Sequence, residues 1–438
     1  MFAWLLNMLK EDFSLSEVAD ILGVSKETLR RWDTNGKLTS QRNEDNNYRY
    51  YKKDQLKNFE QAQSLFTSTW SDDENKHNGN YTVLELFAGA GGMALGLEKA
   101  GLKSVLLNEI DSHACKTLRK NRPDWNVVEG DVSQVDFTPF RGTVDVLAGG
   151  FPCQAFSYAG KKLGFEDTRG TLFFEFARAV KEINPKVLLA ENVRGLLNHD
   201  NGRTLETIKN IISDLGYKLI EPRVLKAMFY KVPQKRERLI IVAIREDLSN
   251  RVEYEWPSSY KRVLTLRDAL KKGDLYDTDV PESEGQKYPK RKSEILRMVP
   301  PGGYWRDLPK EIQMEYMLKS FYLGGGKTGM ARRLSWDEPS LTLTCAPAQK
   351  QTERCHPEET RPLTVREYAR IQTFPDDWLF EGPMTAKYKQ IGNAVPVNLS
   401  FAVGKSIVKL LDNINKLNIT SLSGTAPDGF SAKAASAR

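Results

Sequence analysis

Between residues 81 and 245 the chain alternates two kinds of hydrophobic pattern. Short runs of apolar, often β-branched residues recur as YTVLELF, KSVLLNE, NVVEGD, VDVLAGG, KVLLAEN, KLIEPRVL and RLIIVAIR. Between them lie GGMALGLEKAG, HACKTLRKNRP, LFFEFARAVKEI and RTLETIKNIISDLG, whose apolar positions repeat every three or four residues. The runs have strand length and the intervening stretches have helical period, so the region predicts a doubly wound, Rossmann-like α/β domain with a mostly parallel sheet. Ligands of such sheets collect beyond the carboxyl ends of the strands.

The pattern differs on either side. In residues 1–60, Ser14-Leu15-Ser16-Glu17 has the form of a capping box and opens SEVADILG, with Val18, Ala19, Ile21 and Leu22 at helical spacing. Gly23-Val24 predicts a tight turn, Ser25 starts a second helix, SKETLRRWD, and YRYY follows Asn35-Gly36 as a short strand. Helix, turn, helix and wing is a DNA-docking layout, with Lys26, Arg30 and Arg31 on the second helix. Residues 61–80 are polar and read as a linker. Residues 246–360 lose the alternation and carry Pro300-Pro301-Gly302-Gly303 and Gly324-Gly325-Gly326, which predicts a second, irregular domain. GGGKTG is not a phosphate loop, because Phe321 stands where that motif needs glycine. Residues 361–412 turn regular again and end on VNLSFAVGKSIVKLL; residues 413–438 read as a disordered tail.

Composition narrows the classes. Hydrophobic residues make up 40% and charged residues 28% of 438, the balance of a globular protein, and no run reads as a membrane span or signal peptide. The expectation is a cytoplasmic protein. Four cysteines, Cys115, Cys153, Cys345 and Cys355, give neither a disulfide framework nor a metal set. A net charge of +7 suits a polyanionic partner.

The candidate chemistry falls on the strand ends. The first strand runs into Phe87-Ala88-Gly89-Ala90-Gly91-Gly92, a glycine loop without the GxGxxG spacing. The second ends at Glu109, an acid fitted to ribose hydroxyls, and the third at Asp131, fitted to an adenine amino group. Loop, Glu and Asp on successive strand ends indicate an adenosine ligand without a pyrophosphate, S-adenosylmethionine rather than NAD; each acid alone reads equally as a helix cap. The fourth strand ends in Phe151-Pro152-Cys153. A thiol of ordinary pKa is roughly 3% thiolate at pH 7, and a nearby cation raises that fraction. Glu191-Asn192 ends the next strand, and Gln234-Lys235-Arg236-Glu237-Arg238 supplies guanidinium groups. Together these make a nucleophilic methyl-transfer site, although Cys153 in isolation reads as a buried structural cysteine.

FAGAGG, GGFPCQAFS, RGTLFFE, ENV, QKRER and QIGNAVPV, in that order over residues 81–412, resemble the blocks of the DNA cytosine-5 methyltransferases. The N-terminal segment resembles the winged helix-turn-helix of MerR and excisionase proteins in EVADILGVSKETLRRWDTNGKL and YRYY. The first resemblance implies an S-adenosylmethionine-dependent methyltransferase domain over residues 81–245 with 361–412, and a target-recognition domain over 246–360. It implies that Cys153 adds to C6 of a flipped-out cytosine, that Glu191 hydrogen-bonds N3 and the amino group, that Asn192 braces the strand end, and that Arg236 and Arg238 hold O2 and a phosphate. Phe87, Gly89, Gly92, Glu109, Asp131, Pro152, Leu172 and Asn393 are implied to bind the donor. Ile110 departs from the family, which often has an aromatic residue there. Residues 154–168 match the family's mobile loop. In the recognition region Arg332, Arg333, Lys350 and Arg354 suit phosphates or guanine edges, and Thr342-Leu343 resembles a dipeptide common in such domains, which adds Thr342 to the expected DNA contacts. The implied partners are double-stranded DNA and a restriction endonuclease encoded nearby, with a monomeric catalytic part. Two other readings are a transcriptional regulator with a secondary or silent methyltransferase domain, and a tRNA methyltransferase of the same fold.

Overall fold

The computed structural model describes residues 11–45, 47–72, 81–151 and 172–423. Pro152, Cys153 and the 154–168 stretch lie outside the described residues. The central sheet has seven strands: β4 (Tyr81–Leu86), β5 (Leu102–Glu109), β6 (Val127–Glu129), β7 (Val146–Gly149), β8 (Val187–Val193), β9 (Tyr217–Lys226) and β11 (Glu237–Arg245), in the order β6-β5-β4-β7-β8-β11-β9. The strands from β6 to β8 run parallel, and β11 is antiparallel to both β8 and β9, so the sheet is mixed. The segments predicted from hydrophobic runs are these strands, shifted by a residue or two at their ends.

Each face of the sheet is apolar and each is covered. On one face Leu84, Leu86, Leu147, Leu188 and Ile241 meet α5 (Leu172–Ile183) and α6 (Arg203–Asp214) through Phe173, Phe176, Ile208 and Ile212. On the other, Val83, Ala148, Leu189 and Val242 meet α3 (Gly92–Lys99) and α9 (Val397–Ser423) through Met93, Leu97, Leu399, Val403 and Ile407. Burying each of these Val, Leu, Ile, Phe and Met side chains contributes about 1.5–3 kcal/mol. Contrary to the expectation of no membrane-length run, the helical stretch Met384–Leu417 is long and apolar enough to pass as one; most of it is buried inside the fold. It is also the element that turned part of the expected tail, 413–423, into helix.

The N-terminal module folds as its sequence indicates. It comprises β1 (Asp12–Ser14), α1 (Leu15–Leu22), α2 (Lys26–Thr34), β2 (Gln41–Arg42) and β3 (Arg49–Lys52), with β3 between β1 and β2 in an antiparallel sheet. The Ser14 Oγ accepts from the Glu17 N–H at 3.3 Å, and Glu17 Oε2 accepts from the Ser14 N–H at 2.8 Å, completing the capping box. Gly23 closes α1 at φ +70°, where a side chain would be strained. The expected linker is only partly one. Trp70 packs edge-on against Tyr260 and Phe401, and the Thr69 N–H donates to Ser258 Oγ at 2.9 Å. The module's Val18, Ile21, Leu29 and Tyr51 share one apolar core with the central sheet.

The irregular region has a core of its own over a narrower span than 246–360. Ile295, Leu296, Val299, Trp305, Tyr316, Met317 and Met330 pack together. Leu266, Ala269 and Leu270 instead join the core under the glycine loop, with Tyr368, Phe374 and Trp378 from the C-terminal return. The reason is that the short helix at 266–270 is apolar on the side facing that return.

Two buried features of this fold make measurable predictions. A Cβ on Gly96 would stand 2.5 Å from the Val397 carbonyl oxygen and 2.7 Å from the Phe401 nitrogen, so α3 and α9 touch backbone to backbone. Helix propensity favours alanine there by about 1 kcal/mol, but the clash is with backbone that cannot swing aside. Gly96→Ala is therefore expected to be destabilising, by about 1–3 kcal/mol, with a lower urea midpoint. Glu85 lies in β4 at 2% exposure, its Oε2 without a partner, and burial followed by the Glu109 charge raises its pKa well above the ordinary value. The stability this carboxyl contributes is complete below an exposed glutamate's pKa of about 4.3 and is lost as pH rises through the raised value. Glu85→Gln removes that slope. Unfolding measured from pH 5 to 7 should show the native protein losing up to about 1.4 kcal/mol per pH unit relative to the variant.

Candidate active site

The site residues gather along one rim of the sheet, at the carboxyl ends of β4 to β8. After β4 the chain turns through Phe87 at φ +60°, Gly89 at φ +55° and Gly91 at φ +83° before entering α3. Glu109, at the end of β5, holds this turn. Its Oε2 accepts from the Gly89 N–H at 2.7 Å, and its Oε1 accepts from the Ile110 and Asp111 N–H groups at 2.8 Å each. A carboxylate has about four acceptor positions, so one remains for a ligand. Space above the turn is open: nothing lies within 4 Å of an added Cβ at Gly89 or Gly130, and Ile110 is 70% exposed. Asp131 is exposed and caps the following turn, its Oδ1 accepting from the Ser133 N–H at 2.9 Å, which holds the carboxyl below its ordinary range. Gly92 begins α3 against the Val395 carbonyl. Leu172 begins α5, half-buried on the sheet. Asn393 ends α8 (Met384–Asn393) and accepts from the Cys345 thiol at 3.1 Å.

The ends of β7 and β8 are cross-linked immediately before Pro152. Asn192 Nδ2 donates to the Phe151 carbonyl at 2.7 Å, and its Oδ1 accepts from the Val193 N–H. Glu191 Oε2 would stand 3.1 Å from a Cβ on Gly150, so a larger residue there would press on the carboxylate and glycine leaves it room beside the chain leading to Cys153. Across from β8, Arg238 pairs its Nε with Glu191 Oε1 at 2.5 Å, both side chains nearly buried. A charge-assisted contact of this kind fixes the orientation of the carboxylate.

Arg236 departs from its expected role. It is 1% exposed and donates from Nη1 to the Leu343 carbonyl at 3.2 Å and from Nη2 to the Gly392 carbonyl at 2.9 Å. Burial, then the Arg238 charge, pulls its pKa down to about 9, and it stays cationic at neutral pH. A guanidinium so enclosed is not available to a phosphate; it brackets three parts of the chain.

The recognition-region residues divide similarly. Arg333 is 3% exposed and donates to the carbonyls of Val299, Leu296 and His356. Arg354, pushed down to about 10 by burial, donates to the Thr342 and Glu353 carbonyls. These two hold the region's loops together, which corrects the expectation that they meet DNA. The Thr342 hydroxyl donates to the Lys235 carbonyl at 2.6 Å, next to the pairing of β10 (Gln234–Lys235) with β12 (Ser340–Leu341), so it too is spent inside the fold. Lys350 is half-buried over the Tyr316 ring, and Arg332 is half-buried with its nearest acid, Glu338, at 3.9 Å. Lys26, Arg30 and Arg31 are exposed on α2. Among the described residues no cluster of His, Cys, Asp or Glu could hold a metal.

Sequence reasoning missed a buried amide ladder. Gln234 Nε2 donates to Gln372 Oε1, and Gln372 Nε2 donates to the Ile391 and Ala394 carbonyls. The sequence carries no clear signal for it, because Gln372 sits among Arg366, Glu367, Arg370 and Thr373 and reads there as an ordinary polar position. It missed Lys226 as well, which β9 aims at the N-terminal module.

Comparison with known proteins agrees with this geometry. The family described as C-5 cytosine-specific DNA methylase matches residues 81–409, and that of MerR regulatory proteins matches residues 14–51. The chain is 88% identical over 416 residues to the type II methyltransferase M.Eco47II of Escherichia coli, covering 95% of this chain and 100% of that one. It is 64% identical over 401 residues to M.PspPI of a Psychrobacter strain, covering 91% and 96%. The solved Dnmt2 methyltransferase of S. pombe shares the fold, with a TM-score of 0.53 at 18% identity over 77% of this chain and 100% of that one. With a matching family model over three quarters of its length and relatives this similar along nearly all of it, the chain belongs to the C-5 cytosine-specific DNA methylases.

Proposed function

We propose that this methyltransferase transfers a methyl group to C5 of a cytosine flipped out of duplex DNA, with Cys153 as nucleophile, as the modification enzyme beside a cognate restriction endonuclease in a bacterial cytoplasm. The observation that carries this reading is the pairing of Glu191 with Arg238 next to the Asn192 tether on Phe151, two residues before Cys153. The Cys153 thiolate adds to C6, forming the S–C6 bond and making C5 electron-rich. Glu191 hydrogen-bonds N3 and the amino group as charge develops on the ring, and Arg238, which orients it, hydrogen-bonds O2. After C5 is methylated, a base removes its proton and the S–C6 bond breaks, releasing the thiolate. The base must leave the stack to meet these groups.

The residues present fit S-adenosylmethionine as donor. The open turn at Gly89, a free acceptor position on Glu109, the second oxygen of Asp131 and the exposed Ile110 side chain make an adenosine-sized cradle. When bound there the donor supplies an electrophilic methyl group. Glu109 holds the ribose and Asp131 the adenine amino group; Phe87, Gly92, Pro152, Leu172 and Asn393 shape the walls. A second reading rests on the MerR match: the module also takes an operator, through exposed Arg31. Footprinting of Arg31→Ala on the chain's own promoter tests it, loss of the footprint being expected.

Incubation of the purified protein with labelled S-adenosylmethionine and unmethylated duplex DNA, beside a tRNA pool, should yield 5-methylcytosine in the DNA alone. Cys153→Ala is expected to abolish transfer while DNA binding survives; persistent turnover would remove Cys153 as nucleophile. Glu191→Gln keeps the shape and loses the charge, and should lower kcat by about 10²–10³-fold.

A further inference from the structure

We propose that the helix-turn-helix module and the recognition region form one surface for the substrate duplex, so that α2 contacts the phosphate backbone flanking the target cytosine. The inference rests on the reading of this chain as a duplex DNA methyltransferase and adds a binding surface to it.

The module is clamped to the segment that carries Arg236 and Arg238. Lys226 Nζ, at the end of β9, donates to the Asp20 carbonyl at 2.8 Å and the Ile21 carbonyl at 3.3 Å, in the last turn of α1, where backbone acceptors are otherwise unmet. Lys235, immediately before Arg236, pairs with the Asp20 carboxylate at 2.8 Å. A Cβ on Gly23 would stand 2.7 Å from Lys226 Nζ, so the turn between α1 and α2 seats directly on this lysine. Two lysines on either side of the β9–β11 connection thus fix the module's orientation, and the shared apolar core prevents it from swinging away.

In that orientation α2 begins across a cleft of about 500 Å³ from the recognition region. Lys26, Lys235 and Arg332 line it together with the Gly302–Gly303 turn and Tyr304. Acids line it too. Asp20 and Glu338 already take up Lys235, Glu338 is the acid nearest Arg332, and Asp307 caps the turn at Tyr304. Lys26 makes no ion pair among the described residues, and Arg30, one helical turn further on the same face, pairs only with exposed Glu27. A duplex laid on this face of α2 therefore runs on to the recognition region, with a backbone strand over the cleft mouth. The contact is electrostatic and reads no base, so it adds affinity for any flank.

The test uses the full chain and duplexes bearing its mapped methylation site, with flanks extended by about one helical turn of 10 base pairs on each side. The native protein should gain kcat/KM on extension, and Lys26→Ala/Arg30→Ala should lose most of that gain. On the long duplex the salt slope of binding should fall by about 2 in the double variant, so that the native protein loses about tenfold more affinity between 50 and 200 mM salt. An undiminished flank gain with an unchanged slope would overturn the proposal, including when promoter binding is lost. If the native protein labels no duplex at all, the methyltransferase reading fails instead.

Discussion

The Arg236 guanidinium, buried among carbonyl oxygens, joins what the chain keeps far apart. It reaches Leu343 in the irregular region and Gly392 at the end of α8, while its own backbone lies between β10 and β11. The Glu191 carboxylate, beside Arg238, lends this charge a favourable field, and the two carbonyl oxygens replace part of the water it gave up, while its Nε has no partner among the described residues. The Gln234–Gln372 ladder runs beside it and reaches the same C-terminal return. The strand-end rim, the irregular region and the return are therefore joined by one buried polar network, and partial loss of such a network leaves several groups unsatisfied at once.

This network explains what the sequence could and could not disclose. The sheet was legible because each strand is a compact apolar run, and the N-terminal module because Ser14, Glu17 and Gly23 spell its caps in order. The rim was legible because glycines and acids end the runs. Arg333 and Arg354 were not, since an arginine in a polar loop looks the same whether it meets a phosphate or a carbonyl; only the fold shows both guanidinium groups turned inward. The docking of residues 67–72 was hidden for a related reason. Trp70 is a lone aromatic in a polar stretch, and its partners Tyr260 and Phe401 are far along the chain.

The two ends of the rim carry opposite electrostatic designs. Around the glycine turn an anion is held by backbone N–H groups, with no cation paired to Glu109 among the described residues. Around the Cys153 approach the acid is paired with an arginine, and a second arginine stands behind it. An anionic wall suits hydroxyl and amino donors, and a cationic one favours a thiolate and a polyanion.

The backbone contact between α3 and α9 has a temporal consequence. Lys99 ends α3 and Val397 begins α9, a separation of 298 residues. A ribosome adding about 5–20 residues per second needs roughly 15–60 s to cover that distance. Throughout that interval the apolar side of α3 and the adjoining sheet face lack their cover, and the Arg236 bracket lacks Gly392. The nascent chain thus exposes a sticky surface and an incomplete rim until α9 emerges. Synthesis itself delays the appearance of activity, and truncation anywhere before α9 leaves an open sheet prone to aggregate.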